Sequence, residues 1–538
     1  MREPEFERES YPAGRAIPRR YFLQEVGVAS SAALFLPRLG LAQAADQPSG
    51  LPGGNPIMPG TGMCDPHARV FGDAVYVYAS HDMSPADREK APPASAPPGG
   101  FGGAFGGGGQ GGPGRRGDTD APPFLDALAG QSELRGRAGA PGPGGRSGRG
   151  GGFGFRMDDW WVWRTEDFIT WKLVSILKPE QTYWGKPLSW CWATDAISRN
   201  GKYYFYFSMG PREIGVVVGD SPAGPWKDPL GKPLVARGSV PTAARDPGVL
   251  QEPDGTSYLV FGTFDFYIAK LGDDMISFAE TPRKIELDRL VGPMGEGRTD
   301  DKPYLHKRNG KYYLSWGCFY AMSDNVYGPY VYRGSVIDQE HTAEEFQKGL
   351  VQDRHGSFFE YHGQWYFICN DQSYPRQSAT FRTSVLSYIH YRDNGDMAPA
   401  EINRLGVGQY DAGAERIEAE NFFRIQDAEV REAAQGFEVR GLKDGSSLVY
   451  PNVANLKANS RIILRGASAR PKGAMVEIRS GSPNGKLLGT CAFPSTGDWT
   501  KYRTAEAQLR NGSGKEDLCL LVKGDPGELV RLDWFRLT

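Results

Sequence analysis

Four aspartates and a histidine stand at nearly the same place in five stretches of this 538-residue chain. Asp65 lies 8 residues before Asp73, Asp195 6 before Gly201, Asp246 9 before Gly255, Asp301 9 before Gly310 and His355 8 before Gly363. One such aspartate caps a strand or bonds a turn amide. Five in phase bring polar groups into one small space. There carboxylates repel one another and lose hydration, a cost that implies a use in acid–base chemistry or binding.

The elements that must position them are repeated too. Each polar residue is followed by a turn and an aromatic strand: Asp73-Ala74-Val75-Tyr76, Asn200-Gly201-Lys202-Tyr203, Asp254-Gly255-Thr256-Ser257-Tyr258, Asn309-Gly310-Lys311-Tyr312 and His362-Gly363-Gln364-Trp365. Asn-Gly and Asp-Gly before alternating aromatic and aliphatic residues are hairpin signals. The last four turn glycines, at 201, 255, 310 and 363, recur with a period of 53 to 55 residues, the length of a propeller blade. In a propeller the first strand of every blade lines the axis, so the five polar residues are expected to converge there. The predicted fold class is all-β: a five-bladed β-propeller over 45–411, followed by a β-sandwich of jelly-roll type over 412–538. In the latter, short strands such as Arg461-Ile462-Ile463-Leu464 alternate with Gly, Asn and Asp turns.

Residues 1–44 read as a leader of twin-arginine type, with Arg19-Arg20-Tyr21-Phe22-Leu23, a short apolar run from Val26 to Leu36 and a small-residue cleavage site at Leu41-Ala42-Gln43-Ala44. The expectation is export to the periplasm or beyond, and a soluble mature protein with no membrane association. A formal net charge of −2 gives no electrostatic case for nucleic acid. The chain holds 12 Trp, 25 Tyr and 27 Phe, which serve a β-core and whose faces also stack on sugar rings. The six cysteines show no metal spacing; Cys491 and Cys519 are left open as a pair. From 84 to 155 hydrophobic periodicity is lost, and 12 of the 19 residues from Gly99 to Gly117 are glycine, so this insert is expected to be disordered.

Several motifs in register, Asp65-Pro66-His67, Trp192-Ala193-Thr194-Asp195, Ser221-Pro222-Ala223-Gly224-Pro225-Trp226, Arg245-Asp246-Pro247-Gly248 and His355-Gly356-Ser357, resemble glycoside hydrolase family 43. Residues 416–538, from Arg416-Ile417-Glu418-Ala419-Glu420-Asn421 to Leu532-Asp533-Trp534-Phe535, resemble a family 6 carbohydrate-binding module. The resemblance implies an inverting hydrolase of plant-type xylose- or arabinose-containing polysaccharides or oligosaccharides, of β-xylosidase or α-L-arabinofuranosidase type, which requires no cofactor for catalysis. It makes Asp65 the general base and Asp246 the residue that orients the acid and raises its pKa. The acid is a Glu in Glu-Gly-Pro in most of the family. Here the position holds Asp301-Lys302-Pro303, with Glu296 as the alternative donor. His355, against a central water or ion, and Arg382 correspond to the pocket floor, and Trp192 and Trp316, with Trp190 and Phe319, are candidates for its wall. Asp195 reads as structural. In the C-terminal module Trp499 corresponds to one side of a sugar-binding aromatic pair, while Gly441 stands where the partner Tyr is expected. Glu418, Glu420 and Asp533 resemble a structural calcium site.

An inverting reaction needs one protonated carboxyl at the leaving oxygen and one ionised carboxylate holding water on the opposite face, roughly 6.5–9.5 Å away. Blades facing each other across an axis can supply that gap. The altered acid motivates a second reading, a non-catalytic sugar-binding propeller. A metal-dependent hydrolase would need more His or Asp ligands than the axis offers.

Overall fold

The computed structural model describes residues 53–95, 155–288, 299–344, 346, 354–372 and 380–538, and the backbone of 291–292 and 295–296. The expected leader and most of the glycine-rich insert, 96–154, lie outside the described residues. The first part of that insert is ordered, contrary to the expectation from composition. Ser84 caps a short helix, Pro85–Lys90, by accepting from the Asp87 amide. Ser95 is tied to Ser189, whose amide donates to the Ser95 carbonyl at 2.7 Å. A capping serine, proline in the first turn and an acid three residues after the cap are a helix start in miniature.

Five antiparallel sheets form the propeller. Blade 1 comprises Met63–Phe71, Ala74–His81, Trp160–Thr165 and Lys172–Leu177, and blade 2 Cys191–Arg199, Lys202–Met209 and Ile214–Gly219. Blade 3 is Gly248–Gln251, Ser257–Thr263, Asp265–Lys270 and Arg283–Lys284. Blade 4 is Pro303–Arg308, Lys311–Trp316, Phe319–Ser323 and Tyr330–Ser335, with Leu287–Asp288 added in parallel. Blade 5 is Gly356–Tyr361, Gln364–Asp371 and Thr383–Tyr388. The innermost strand of each blade touches that of the next, and the fifth touches the first, so the ring is closed.

The turns that announce the repeat have the expected geometry. Both central residues are at positive φ in Asn200-Gly201, Asn309-Gly310 and His362-Gly363, as a two-residue hairpin turn of type I′ requires. Closure is completed by the segment ahead of blade 1. Ile57 bridges to Ser384. The buried Asn55 side chain donates to the Leu386 and Asn403 carbonyls, both at 2.9 Å, and accepts from the Leu386 amide at 2.8 Å.

The C-terminal sandwich has two six-stranded sheets. One runs Tyr410–Asp411, Ser447–Leu456, Gly514–Lys523, Ala474–Ser480 and Leu487–Phe493, with Arg424–Gln426 on the edge of the second. The other runs Glu429–Glu432, Phe437–Leu442, Val530–Leu537, Arg461–Ala467 and Arg503–Gln508, with Ile417–Glu418 on Val530–Leu537. Alternate residues of these strands, among them Leu448, Tyr450, Leu464, Val476, Ile478, Leu520, Leu532 and Phe535, make a core of their own between the sheets. All six cysteines are free and buried, Cys491 and Cys519 included, so no bridge joins that pair.

Candidate active site

The inner strands of three blades begin with one backbone device. Asp65, Asp246 and Lys302 have φ of +48°, +55° and +70°, and each precedes a proline, Pro66, Pro247 and Pro303. Proline disfavours the right-handed helical region for the residue before it. The left-handed region is costly for any side chain larger than glycine and persists only where surrounding contacts enforce it. Asp65 lies within a register shift between Cys64 and His67. Blades 1, 3 and 4 thus leave their ladders in the same way where candidate catalytic groups stand.

Asp65 is buried among polar partners. Its Oδ1 accepts from Asn370 Nδ2 and Arg382 Nη1, both at 2.8 Å, and lies 3.3 Å from His355 Nδ1. Its Oδ2 accepts from Ser80 Oγ at 2.8 Å. Burial alone raises the carboxyl's pKa. The Arg382 guanidinium outweighs it, with help from His355 and Asn370, and holds Asp65 well below the usual carboxylate range. Arg382 is fixed in turn by Asp82, with Nε at 2.9 Å from Oδ2 and Nη2 at 3.1 Å from Oδ1. His355 and Arg382, expected at the pocket floor, therefore touch Asp65 itself.

Asp246 and Asp301 form a second group, joined by Arg245. Arg245 Nε lies 3.5 Å from Asp246 Oδ2, and its Nη2 donates to Asp301 Oδ2. The Lys302 amide donates to Asp246 Oδ2 at 3.2 Å, while the Lys302 ammonium bonds Asp301 and lies 3.2 Å from Asp300 Oδ2. Two cations against its oxygens stabilise the ionised form of Asp301. Proton donation from it requires the incoming substrate to loosen one of these contacts. The Glu296 side chain lies outside the described residues; its backbone pairs with Val291.

Asp195 belongs to a deeper layer, as its shorter spacing of 6 suggests. Burial is opposed by Arg69 and His67, which pull its carboxyl down to about 2. It accepts from Arg69 Nε at 2.9 Å and from the Val249 amide at 2.7 Å, an intramolecular brace. At the level of Asp246 and Asp301, blade 2 instead presents Trp192, 9 residues before Gly201. The partly exposed Trp192 ring faces the Arg245 guanidinium at 5.4 Å and packs beside Trp190 at 6.1 Å. Trp316 is not a wall residue: it is 0% exposed, packed against Phe266 and the equally buried Phe319, because its strand turns that face into the core between blades.

In the sandwich, the Arg531 guanidinium lies over the Trp499 ring at 4.8 Å. Glu528 accepts from the Gly441 amide at 2.9 Å and from Arg531 Nε at 3.1 Å. A charged pair thus adjoins the face where an aromatic partner was expected. The three carboxylates of the calcium expectation do not form a cage. Arg465 bonds Asp533 and Arg416 pairs with Glu418 at 2.5 Å. Among the described residues no three His, Cys, Asp or Glu are grouped to hold a metal ion. Glu420 is buried with Oε2 unpartnered, and burial, reinforced by Glu418, raises its pKa well above the usual range.

Sequence reasoning missed Ser80, Asn370, Asp82 and Arg245. The repeat itself could have found the first two. Ser80, Ser208 and Asn370 each stand 7 residues after the marker of their blade, Asp73, Gly201 and Gly363. Arg245 adjoins Asp246 in the quoted motif but carried no role there.

Residues 153–397 match the profile described as Glycosyl hydrolases family 43, and residues 418–538 that of Carbohydrate binding module (family 6). Within those bounds the chain is similar to glycoside hydrolase family 43 and to a family 6 carbohydrate-binding module. It is similar to an arabinoxylan arabinofuranohydrolase of Paenibacillus polymyxa, 29% identical over 401 residues, which are 65% of this chain and 60% of that protein. It therefore spans about three fifths of that relative's length. A xylosidase/arabinosidase of Bacteroides ovatus is 28% identical over 277 residues, 43% of this chain and 79% of that one. Among solved structures, a family 43 arabinoxylan arabinofuranohydrolase from Bacillus subtilis, in complex with cellotetraose, aligns over 90% of this chain and 98% of its own, with 20% identity and a TM-score of 0.47.

Proposed function

We propose that the protein is an inverting glycosidase that releases xylose or arabinose units from plant-type pentose glycans, in the manner of a β-xylosidase or α-L-arabinofuranosidase. The observation that carries this reading is Asp65: a buried carboxylate kept ionised by Arg382, with Oδ1 fully engaged and Oδ2 bound among the described residues by Ser80 alone. Oδ2 is the atom left to take a proton from water. In this reading Asp246 orients the donor side through Arg245 and the Lys302 amide, and Asp301 gives the proton to the leaving oxygen once substrate displaces a cation from it. The family 43 match and the names of the two sequence relatives support the pentose assignment. Purified protein assayed on aryl β-xylosides, aryl α-arabinofuranosides, xylobiose and arabinoxylan, with the product anomer followed by NMR, tests it. Turnover with inversion is expected, and no turnover on any of them defeats it.

The ion pairs on Asp301 favour a second reading, a propeller that binds sugar without cleaving it. Saturable sugar binding with no product after prolonged incubation would select that reading. We also propose that residues 1–44 direct export of the twin-arginine type, supported by Arg19-Arg20, the short apolar run and the small-residue site. Changing both arginines to lysine should retain the protein in the cytoplasm. An exported double variant overturns the assignment.

A further inference from the structure

We propose that Asn370 is a positioning residue for the general base, gripping Asp65 by its main chain and its carboxylate at once. The proposal rests on the assignment of Asp65 as base. Asn370 Oδ1 accepts from the Asp65 amide at 2.6 Å, and Asn370 Nδ2 donates to Asp65 Oδ1 at 2.8 Å. One amide group, 305 residues away in the chain and 0% exposed, thus closes a ring of hydrogen bonds on a single aspartate.

The grip answers two needs. The first is the backbone at φ +48°, which a non-glycine residue keeps only where its neighbours enforce it. The second is the choice of oxygen. Asn370, Arg382 and His355 all address Oδ1, so Oδ2, which among the described residues accepts from Ser80 alone, keeps a lone pair with which the proposed base can take a proton from water. Asn370 is itself fixed: its amide donates to the His355 carbonyl at 2.9 Å, and its carbonyl accepts from Arg354 Nη1 at 2.8 Å. Arg354 pairs with Asp371 at 3.0 Å, both side chains fully buried.

The repeat provides an internal control. Ser208 stands at the equivalent place in blade 2, and its Oγ accepts from the amide of Asp246 at 2.9 Å. Blades 2 and 5 therefore each cap the left-handed aspartate of the following blade from the same position. Serine caps the main chain and no carboxylate contact accompanies it. Only asparagine, with a donor beside its acceptor, does both. The difference between these two blades is the carboxylate contact, and that contact falls on the proposed base.

Asn370→Ser should keep the main-chain cap, as in blade 2, and lose the contact to Oδ1. Asn370→Asp keeps the shape and places a like charge against Oδ1. The charged and titratable groups around Asp65 are otherwise unchanged: Arg382 and His355 in contact with it, Asp82 behind Arg382, the Cys64 thiol and His67. For both variants the expected result is a fall in kcat of at least about tenfold with KM nearly unchanged. The acid limb of kcat/KM should move up by about one pH unit, further for Asn370→Asp than for Asn370→Ser. Melting temperature is measured alongside. A variant that is folded with the wild-type kcat and acid limb overturns the proposal. So does loss of folding in both, which would make Asn370 a prop of the fold rather than of the base. Asp65→Asn separates the underlying reading: if it retains turnover, the assignment of the base fails, whereas an inactive Asp65→Asn beside wild-type-like Asn370 variants defeats only the present inference.

Discussion

Arg245 is ion-paired with Asp301 while its Nε lies 3.5 Å from Asp246, so one guanidinium joins the two carboxylates of the proposed donor side. The proposed base side is organised in the same manner, with Arg382 shared between Asp65 and Asp82. The two sides differ in access: the Asp65 side chain is 6% exposed and that of Asp301 19%. In the proposed reading the group that must meet a leaving oxygen, Asp301, is the more open one. Its role shows in the dependence on leaving group.

Asp301→Ala should nearly stop cleavage of a disaccharide while sparing an aryl glycoside whose leaving group needs no proton. The kcat ratio of the two substrates should change by about 10²-fold or more. Equal loss on both, with selective loss in Glu296→Ala instead, would move the donor to Glu296.

Asp65→Asn should abolish turnover of every substrate, by about 10²–10⁴-fold, and more than a tenth of the wild-type rate would remove Asp65 from the role. Its effect on stability has a definite sign. The native carboxyl titrates below its unfolded value of about 3.9. It therefore contributes stability that is fully present above that pH and is lost as pH falls through the lowered native value. The melting-temperature difference between wild type and Asp65→Asn should be constant from pH 7 to about 4 and shrink below it. A difference that already shrinks between pH 7 and 5 contradicts this account.

Asn55→Ala removes the side chain that joins the segment ahead of blade 1 to blade 5. It leaves the Leu386 amide and two carbonyls without their partner, at roughly 1–3 kcal/mol for each buried group that water cannot reach. A drop in melting temperature of at least about 3 °C is expected by calorimetry. An unchanged melting curve would show that the ring does not depend on this contact.

The sandwich, expressed from residue 410 to 538, should fold by itself because its core is drawn from its own two sheets. Its binding to xylan or arabinan should be weak and unchanged by Trp499→Ala, since Arg531 already covers that ring. Strong retardation in an affinity gel, abolished by Trp499→Ala, would contradict both statements.

The five blades were legible because their signals are local: a turn at positive φ followed by alternating aromatic residues needs no distant partner. Asp65, Asp246 and Asp301 were legible as candidates through spacing from those turns. Trp316 was misread because an aromatic residue in an inner blade looks the same whether its ring faces the pocket or the next sheet. Arg245 and Asn370 were missed for a related reason. Their roles lie in which neighbour they touch, Asp301 across 56 residues and Asp65 across 305, and no local pattern encodes that choice. The helix at 85–90 was overlooked because the flanking composition hid six residues with proper capping.

The ring closes between Asn55 and residues 386–404, and Asp65 draws its partners from positions 355, 370 and 382. A nascent chain therefore carries Asp65, the proposed base, but cannot equip it until more than 300 further residues have been made. Contacts of such separation form late, after the local hairpins. Prematurely terminated fragments, even ones with four finished blades, lack the guanidinium that keeps Asp65 charged. In the proposed reading hydrolytic competence is thereby tied to synthesis through blade 5, and products truncated before it should be inert toward sugars rather than partly active.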